Sequence, residues 1–243
     1  MIREHTMTPN AGRVPTILLI GASRGLGHAM AEEFLRRGWH VVGTVRRHKP
    51  ATPLHALAGE YPGRVEIEVL DITMSGQLEA LAGRLTDRVF DILFVNAGTT
   101  NPDPTQTIGE VSTSDFVELM VTNALSPMRV IERLAKHVLP DGLIGVMSSG
   151  QGSIANNETG QRELYRGTKA ALNQFMRSFA AREADTPRAM VAMAPGWVRT
   201  ALGGPQGRLS IEESIPNVVD VLLAKRGRPG LEYLDYLGRT VPW

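Results

Sequence analysis

The chain has 243 residues, with 26 lysines and arginines against 25 aspartates and glutamates, for a formal net charge of +1. Basic residues are scattered, with Arg46, Arg47, His48 and Lys49 the one dense cluster, which argues against a nucleic-acid footprint or a membrane-surface patch. Cysteine is absent, so disulfides, thiolate nucleophiles and zinc-thiolate sites are excluded together, and the six histidines (His5, His28, His40, His48, His55 and His137) stand at no spacing that suggests a metal site.

Residues 1–14 are polar, with Pro9, Asn10 and Gly12, and are expected to form a loose tail. The longest apolar run after them, residues 17–20, is of strand length, so neither a signal peptide nor a transmembrane segment is expected and a cytoplasmic location is the default. From there short apolar runs alternate with longer amphipathic ones, the pattern of β-α-β units around a parallel sheet. Residues 16–20 read as the first strand, and residues 28–37 as a helix that stops at Gly38. Strands are expected over 41–45, 65–70 and 92–95, with an amphipathic stretch over 75–85 between the last two. A long helical stretch covers 115–138, followed by a strand over 143–147, a helix over 165–183 and a strand over 189–194. Strands that are apolar along their whole length are buried on both faces. Residues 15–243 are therefore expected to form a single α/β domain, a doubly wound, mostly parallel sheet of about seven strands with helices on both faces. The polar, glycine-bearing stretches 150–163 and 203–207 read as loops over a site.

Directly after the first strand comes Gly21-Ala22-Ser23-Arg24-Gly25-Leu26-Gly27, and then a helix. A helix amino terminus offers unpaired N–H groups to a phosphate, and glycines let the backbone approach it, so this loop is a candidate dinucleotide site. No Gly-Lys-Ser/Thr follows, which argues against a nucleoside triphosphate loop. An NAD or S-adenosylmethionine site usually has an acid at the end of the second strand, where this chain has Thr44-Val45-Arg46-Arg47. Arg46 with Arg24 suits the 2′-phosphate of NADP, which makes NADP the expected cofactor in preference to NAD.

Tyr165 and Lys169 lie four residues apart, so a helix places them on one face. A phenol ordinarily loses its proton near pH ~10, and a nearby cation favours the phenolate, which suits proton transfer to a carbonyl oxygen.

These motifs, in this order, resemble the short-chain dehydrogenase/reductase family. Gly21 to Gly27 is similar to its cofactor loop, Asp71-Ile72-Thr73 to its adenine-contacting segment and Asn96-Ala97-Gly98 to the motif ending its fourth strand. Asn123 resembles its structural and catalytic asparagine, Ser148-Ser149 with Gly152 its serine segment, Tyr165 to Lys169 its Y-x-x-x-K, and Pro195-Gly196 with Val198 and Thr200 its nicotinamide-side loop. The last third is similar to the C-factor/sniffer branch of carbonyl reductases, in Pro195-Gly196-Trp197-Val198-Arg199-Thr200, Gly203-Gly204-Pro205 and terminal Val241-Pro242-Trp243. The chain departs from the family pattern at Ile20, where a threonine is usual, at Val95, often a second asparagine, and in a longer interval between serine and tyrosine.

The resemblance implies a Rossmann domain and a metal-independent oxidoreductase that moves hydride between NADP(H) and a carbonyl or alcohol. It implies Tyr165 as general acid or base, Lys169 as the cation that lowers the tyrosine pKa and holds the nicotinamide ribose, and Asn123 as the holder of a relay water. Ser149, with Ser148 second, would stabilise the substrate oxygen. A homo-oligomer, dimer or tetramer, is expected from relatives. The competing reading is a non-catalytic protein that binds the dinucleotide as a sensor or signal, as the C-factor likeness allows. A full catalytic set argues for the enzyme.

Overall fold

The computed structural model describes residues 12–243, so the tail expected over residues 1–14 lies, up to residue 11, outside the described residues. Seven strands, β1 (Thr16–Ile20), β2 (His40–Val45), β3 (Val65–Val69), β4 (Phe90–Val95), β5 (Val138–Met147), β6 (Ala189–Ala194) and β7 (Gly230–Asp235), form one all-parallel sheet. Its order is β3-β2-β1-β4-β5-β6-β7.

Successive strand side chains point to opposite faces, and both faces are buried. In β1, Ile17 and Leu19 join one core while Leu18 and Ile20 join the other. Helices α1 (Gly25–Arg36), α2 (Pro53–Glu60) and α7 (Ile211–Lys225) cover the first face through Met30, Phe34, Leu57 and Val218. Across the sheet, α3 (Ser75–Arg84), α5 (Ser126–Leu134) and α6 (Glu163–Arg182) pack through Leu81, Ile131, Leu134, Met176 and Phe179, with α4 (Thr113–Met120) leading into α5. Strand order reverses between β1 and β4, and the diverging connections open a crevice beyond their carboxyl ends.

The long helical stretch expected over 115–138 is divided. A π turn, Val121–Leu125, separates α4 from α5, and a 3₁₀ turn, Ala135–His137, precedes β5. Pro127 has no N–H to offer the carbonyl four residues back, that of Asn123, and Ser126 N–H bonds Val121 C=O instead. Helices α2 and α7 and strand β7 add to the elements the sequence pattern indicates. Pro216 interrupts the polarity pattern of α7, yet the helix opens on a capping box in which Ser210 Oγ accepts from Glu213 N–H and Glu213 Oε2 accepts from Ser210 N–H.

Candidate active site

The loop from β1 to α1 is held by two side chains from neighbouring strands. Gly21 N–H donates to Thr44 Oγ1 at 2.8 Å, and Asn96 Nδ2 donates to Gly21 C=O at 2.8 Å. Gly21 has φ +88°, a region side chains rarely adopt, and a methyl on Gly27 would stand 2.0 Å from the Gly21 carbonyl oxygen. Both glycines are therefore required by the turn itself. Arg24, the residue before α1, is extended and caps no N–H, so the first turn of α1 has no side-chain partner for its donors. Such a helix end is suited to a phosphate.

Asp71 closes the far end of this half. Partial burial pushes its carboxyl up, but hydrogen bonds from the Thr73 hydroxyl and N–H, with the charges of Arg46 and Arg47, outweigh that and hold it below the usual carboxylate range. Gly21, Ser23, Arg24, Gly25, Leu26, Arg46, Asp71, Ile72, Asn96, Ala97 and Gly98 all line one cleft of about 1280 Å³. Gly27 packs behind its wall, against Gly21 and Asn96. The residues fit a dinucleotide lying from Asp71 and Arg46 past the glycine loop toward α6.

Helix α6 presents Tyr165 and Lys169 one turn apart, both buried. Lys169 Nζ donates to the Met147 carbonyl at the end of β5, at 2.9 Å, and lies 5.8 Å from the Tyr165 ring centroid. Burial lowers the Lys169 pKa from its ordinary 10.5 to about 8. With one acceptor for three N–H donors, the ammonium retains capacity for a ribose hydroxyl. Burial also raises the phenol of Tyr165 above its ordinary value, opposed by the charge of Arg162 and by hydrogen bonding with Ser149. The resemblance implies Lys169 as the cation acting on the phenol; in this structure a second cation, Arg162, also stands by the ring.

The two serines separate clearly. Ser148 Oγ is committed to Asn173 Oδ1 at 2.6 Å, whereas Ser149 lies beside the phenol and accepts from Gln151 N–H at 3.1 Å. Asn123 sits in the π turn, wholly buried, outside the cleft lining. Its side chain accepts from Thr99 N–H at 2.8 Å and donates to Thr99 C=O at 2.9 Å and Thr168 Oγ1 at 3.1 Å. A methyl on Gly98 would stand 3.3 Å from Asn123 Oδ1 and 3.5 Å from Lys169 Nζ, so these groups share one small space.

Pro195, Gly196, Val198 and Thr200 line the same cleft beyond β6. Val198 pairs with Leu209 and Thr200 with Gly204 in isolated bridges, so the segment folds back on itself. Gln151, Asn156 and Arg162 line the cleft from the stretch 150–163 expected to lie over a site, whereas Thr99, Thr100, Asp235, Tyr236 and Arg239 line it without a sequence signal. Only their strand-end and loop positions bring them together. Among the described residues no cluster of three or more His, Asp or Glu is placed to hold a metal, and no helix is long and apolar enough to cross a membrane.

A doubly wound parallel sheet with a glycine loop at its switch point and a Tyr-Lys pair on a facing helix defines a nicotinamide-type dehydrogenase scaffold. The chain belongs to the short chain dehydrogenase family, whose model matches residues 15–208, and is thus a member of a family of oxidoreductases. It is similar to a short-chain dehydrogenase/reductase of Burkholderia multivorans solved with bound NADP, at 77% identity and TM-score 0.94 over 95% of this chain and 100% of that one. A carbonyl reductase of Pseudomonas aeruginosa in complex with NADP is 32% identical, at TM-score 0.88 over 95% of this chain and 100% of that one. The C-signal of Myxococcus xanthus is 30% identical over 68% of this chain and 100% of its own length.

Proposed function

We propose that this protein is an NADP(H)-dependent carbonyl reductase acting on a small aldehyde or ketone, or on the alcohol in reverse. The observation that carries the reading is the placement of Tyr165 and Ser149 beside each other in one cleft, with Lys169 a turn below the phenol. NADPH, when bound, supplies the hydride. Tyr165 gives its proton to the carbonyl oxygen, and burial, by keeping the phenol protonated, suits it to act as the acid. Ser149 hydrogen-bonds the same oxygen and stabilises charge developing there. Lys169 holds the nicotinamide ribose. Asn123 fixes the Thr99 turn and Thr168 and would hold a relay water beside Lys169. Arg24 and Arg46 hold the 2′-phosphate, with Pro195, Gly196, Val198 and Thr200 flanking the nicotinamide. The bound NADP of the Burkholderia and Pseudomonas relatives supports this cofactor.

The test is NADPH and NADH oxidation against a panel of aldehydes, ketones and quinones. Tyr165→Phe is expected to lose at least about a hundred-fold in kcat, as removal of a general acid does, and Arg46→Ala to lose preference for NADPH over NADH. A Tyr165→Phe enzyme with full activity would remove the proposed acid. The likeness to the C-signal supports a second reading, a dinucleotide-binding signal without turnover. Tight NADPH binding with no carbonyl reduced would favour it.

A further inference from the structure

The substrate half of the cleft contains a cation that the proposed reaction leaves unused. Arg162 stands immediately before α6 and, among the described residues, is the one non-glycine with a left-handed backbone, φ 60° and ψ 42°. An arginine there carries backbone strain that asparagine or glycine would carry less of, so its presence calls for a compensating role. Its guanidinium lies over the Tyr165 ring, with Cζ 5.0 Å from the centroid. Nη2 reaches Thr100 Oγ1 at 3.3 Å, a long bond, and Nε is buried with no partner. Among the described residues no carboxylate lies within 4.0 Å of it.

The other charges of the cleft are accounted for differently. Arg24 and Arg46 stand at the glycine loop and the end of β2, Arg239 pairs with Asp235 at 2.7 Å, and Asp71 is bonded by Thr73. Glu118 is exposed on α4. Arg162 is thus a guanidinium facing the reacting phenol, with a buried donor in want of an acceptor. An unpaired buried N–H is costly, and a planar anion that fills it forms one of the stronger hydrogen bonds available.

We propose that Arg162 binds an anionic group of the substrate, so that the carbonyl compound reduced in this cleft carries a carboxylate. The proposal rests on the carbonyl-reductase reading and deepens it. A carboxylate on Arg162 and a carbonyl oxygen on Tyr165 would be separated by the reach of one ring, since the guanidinium sits above the ring whose hydroxyl is the acid.

The test compares 4-carboxybenzaldehyde with its methyl ester, which present the same aldehyde with and without the charge. The protein is expected to favour the acid by at least about ten-fold in kcat/KM, the size of one charged hydrogen bond. Arg162→Asn, which suits a left-handed backbone and so keeps the turn, should abolish that preference, chiefly through KM, while Arg162→Lys retains part of it. The proposal is overturned if the ester is reduced as well as the acid, or if Arg162→Asn slows both equally, since Arg162 would then act only on Tyr165. If no carbonyl compound is reduced, the carbonyl-reductase reading fails by itself, and calorimetric titration of benzoate into the NADP-loaded protein decides the anion site. Benzoate binding weakened at least about ten-fold by Arg162→Asn sustains it; no binding, or equal binding by the variant, overturns it.

Discussion

Lys169 illustrates at the scale of one residue how a functional group can be held against its own solvation. Its ammonium is buried with one carbonyl partner, and its pKa falls from 10.5 to about 8. Below about pH 8 both the folded and the unfolded chain carry this proton, so the full burial cost is present. Between about 8 and 10.5 the unfolded state binds the proton and the folded state does not, so stability rises with pH through that window. At about 1.4 kcal/mol per pKa unit the cost near neutrality is on the order of 3 kcal/mol, offset in part by the bond to Met147. Lys169→Met is therefore expected to stabilise the ligand-free protein by about 1 kcal/mol at pH 7 and by less at pH 9.5, while abolishing turnover. Urea unfolding at the two pH values checks this, and a destabilised variant at pH 7 would contradict it. The identity of this pair was legible in the sequence because four-residue spacing on a helix fixes a shared face. The commitments of the two ends were not: Lys169 reaches β5 and Tyr165 meets Arg162, and both depend on tertiary packing. The bond from Ser148 to Asn173 depends on the same packing and is likewise not indicated by the sequence.

Among the elements, β7 and the segment after it determine how firmly Ser149 is held. Tyr233, buried in β7, donates from its hydroxyl to the Ser149 carbonyl, and its ring packs 5.2 Å from Trp243. The Trp243 carbonyl in turn accepts from Ala155 N–H at 3.1 Å, tying the chain end to the loop that follows Ser149. Tyr233→Phe should leave that carbonyl with Gly152 N–H, at 2.8 Å, as its remaining donor and loosen the serine, lowering kcat/KM about ten-fold with NADPH affinity unchanged within about two-fold. Unaltered kcat/KM with only reduced stability would show that the bond does not position Ser149. This support was hard to read in advance. β3 (Val65–Val69) and β7 lie at the two edges of the sheet; VEIEV alternates with acids and is still readable as a strand, whereas GLEYLD, with Glu232 and Asp235 at no strand period, is not. The central strands, predominantly apolar, are clear in the sequence; β7 is not, and with it the cleft residues Asp235, Tyr236 and Arg239 go unindicated. Helix α7 was hidden for a different reason, since Pro216 within it mimics a break.

For the molecule as a whole, stability and chemistry are placed at opposite ends of the sheet. The cleft lies beyond the carboxyl ends of β1 and β4, while Asp91, near the amino end of β4, joins three other parts of the chain. One of its oxygens accepts from Thr16 N–H at 2.8 Å and from Arg13 Nη2 at 2.5 Å, and the other accepts from Arg226 Nη2 at 2.5 Å, just past α7. Asp91 is only 3% exposed, whereas both arginine side chains are about 30% exposed. Removal of the carboxylate leaves the Thr16 amide unpaired in the core and two guanidiniums without their counter-charge, and the partly exposed arginines can regain water. Asp91→Ala is therefore expected to lower the free energy of unfolding by about 3 kcal/mol, the low end for breaking a buried ion pair. Because this network is at the far end of the strands from Tyr165 and Ser149, kcat and the KM for NADPH should stay within about two-fold at temperatures where the variant is folded. Denaturant midpoints with steady-state rates on the same preparations separate the two effects. A loss of turnover without a loss of stability would mean that the two ends of the sheet are coupled, and that the scaffold does more than hold the cleft open.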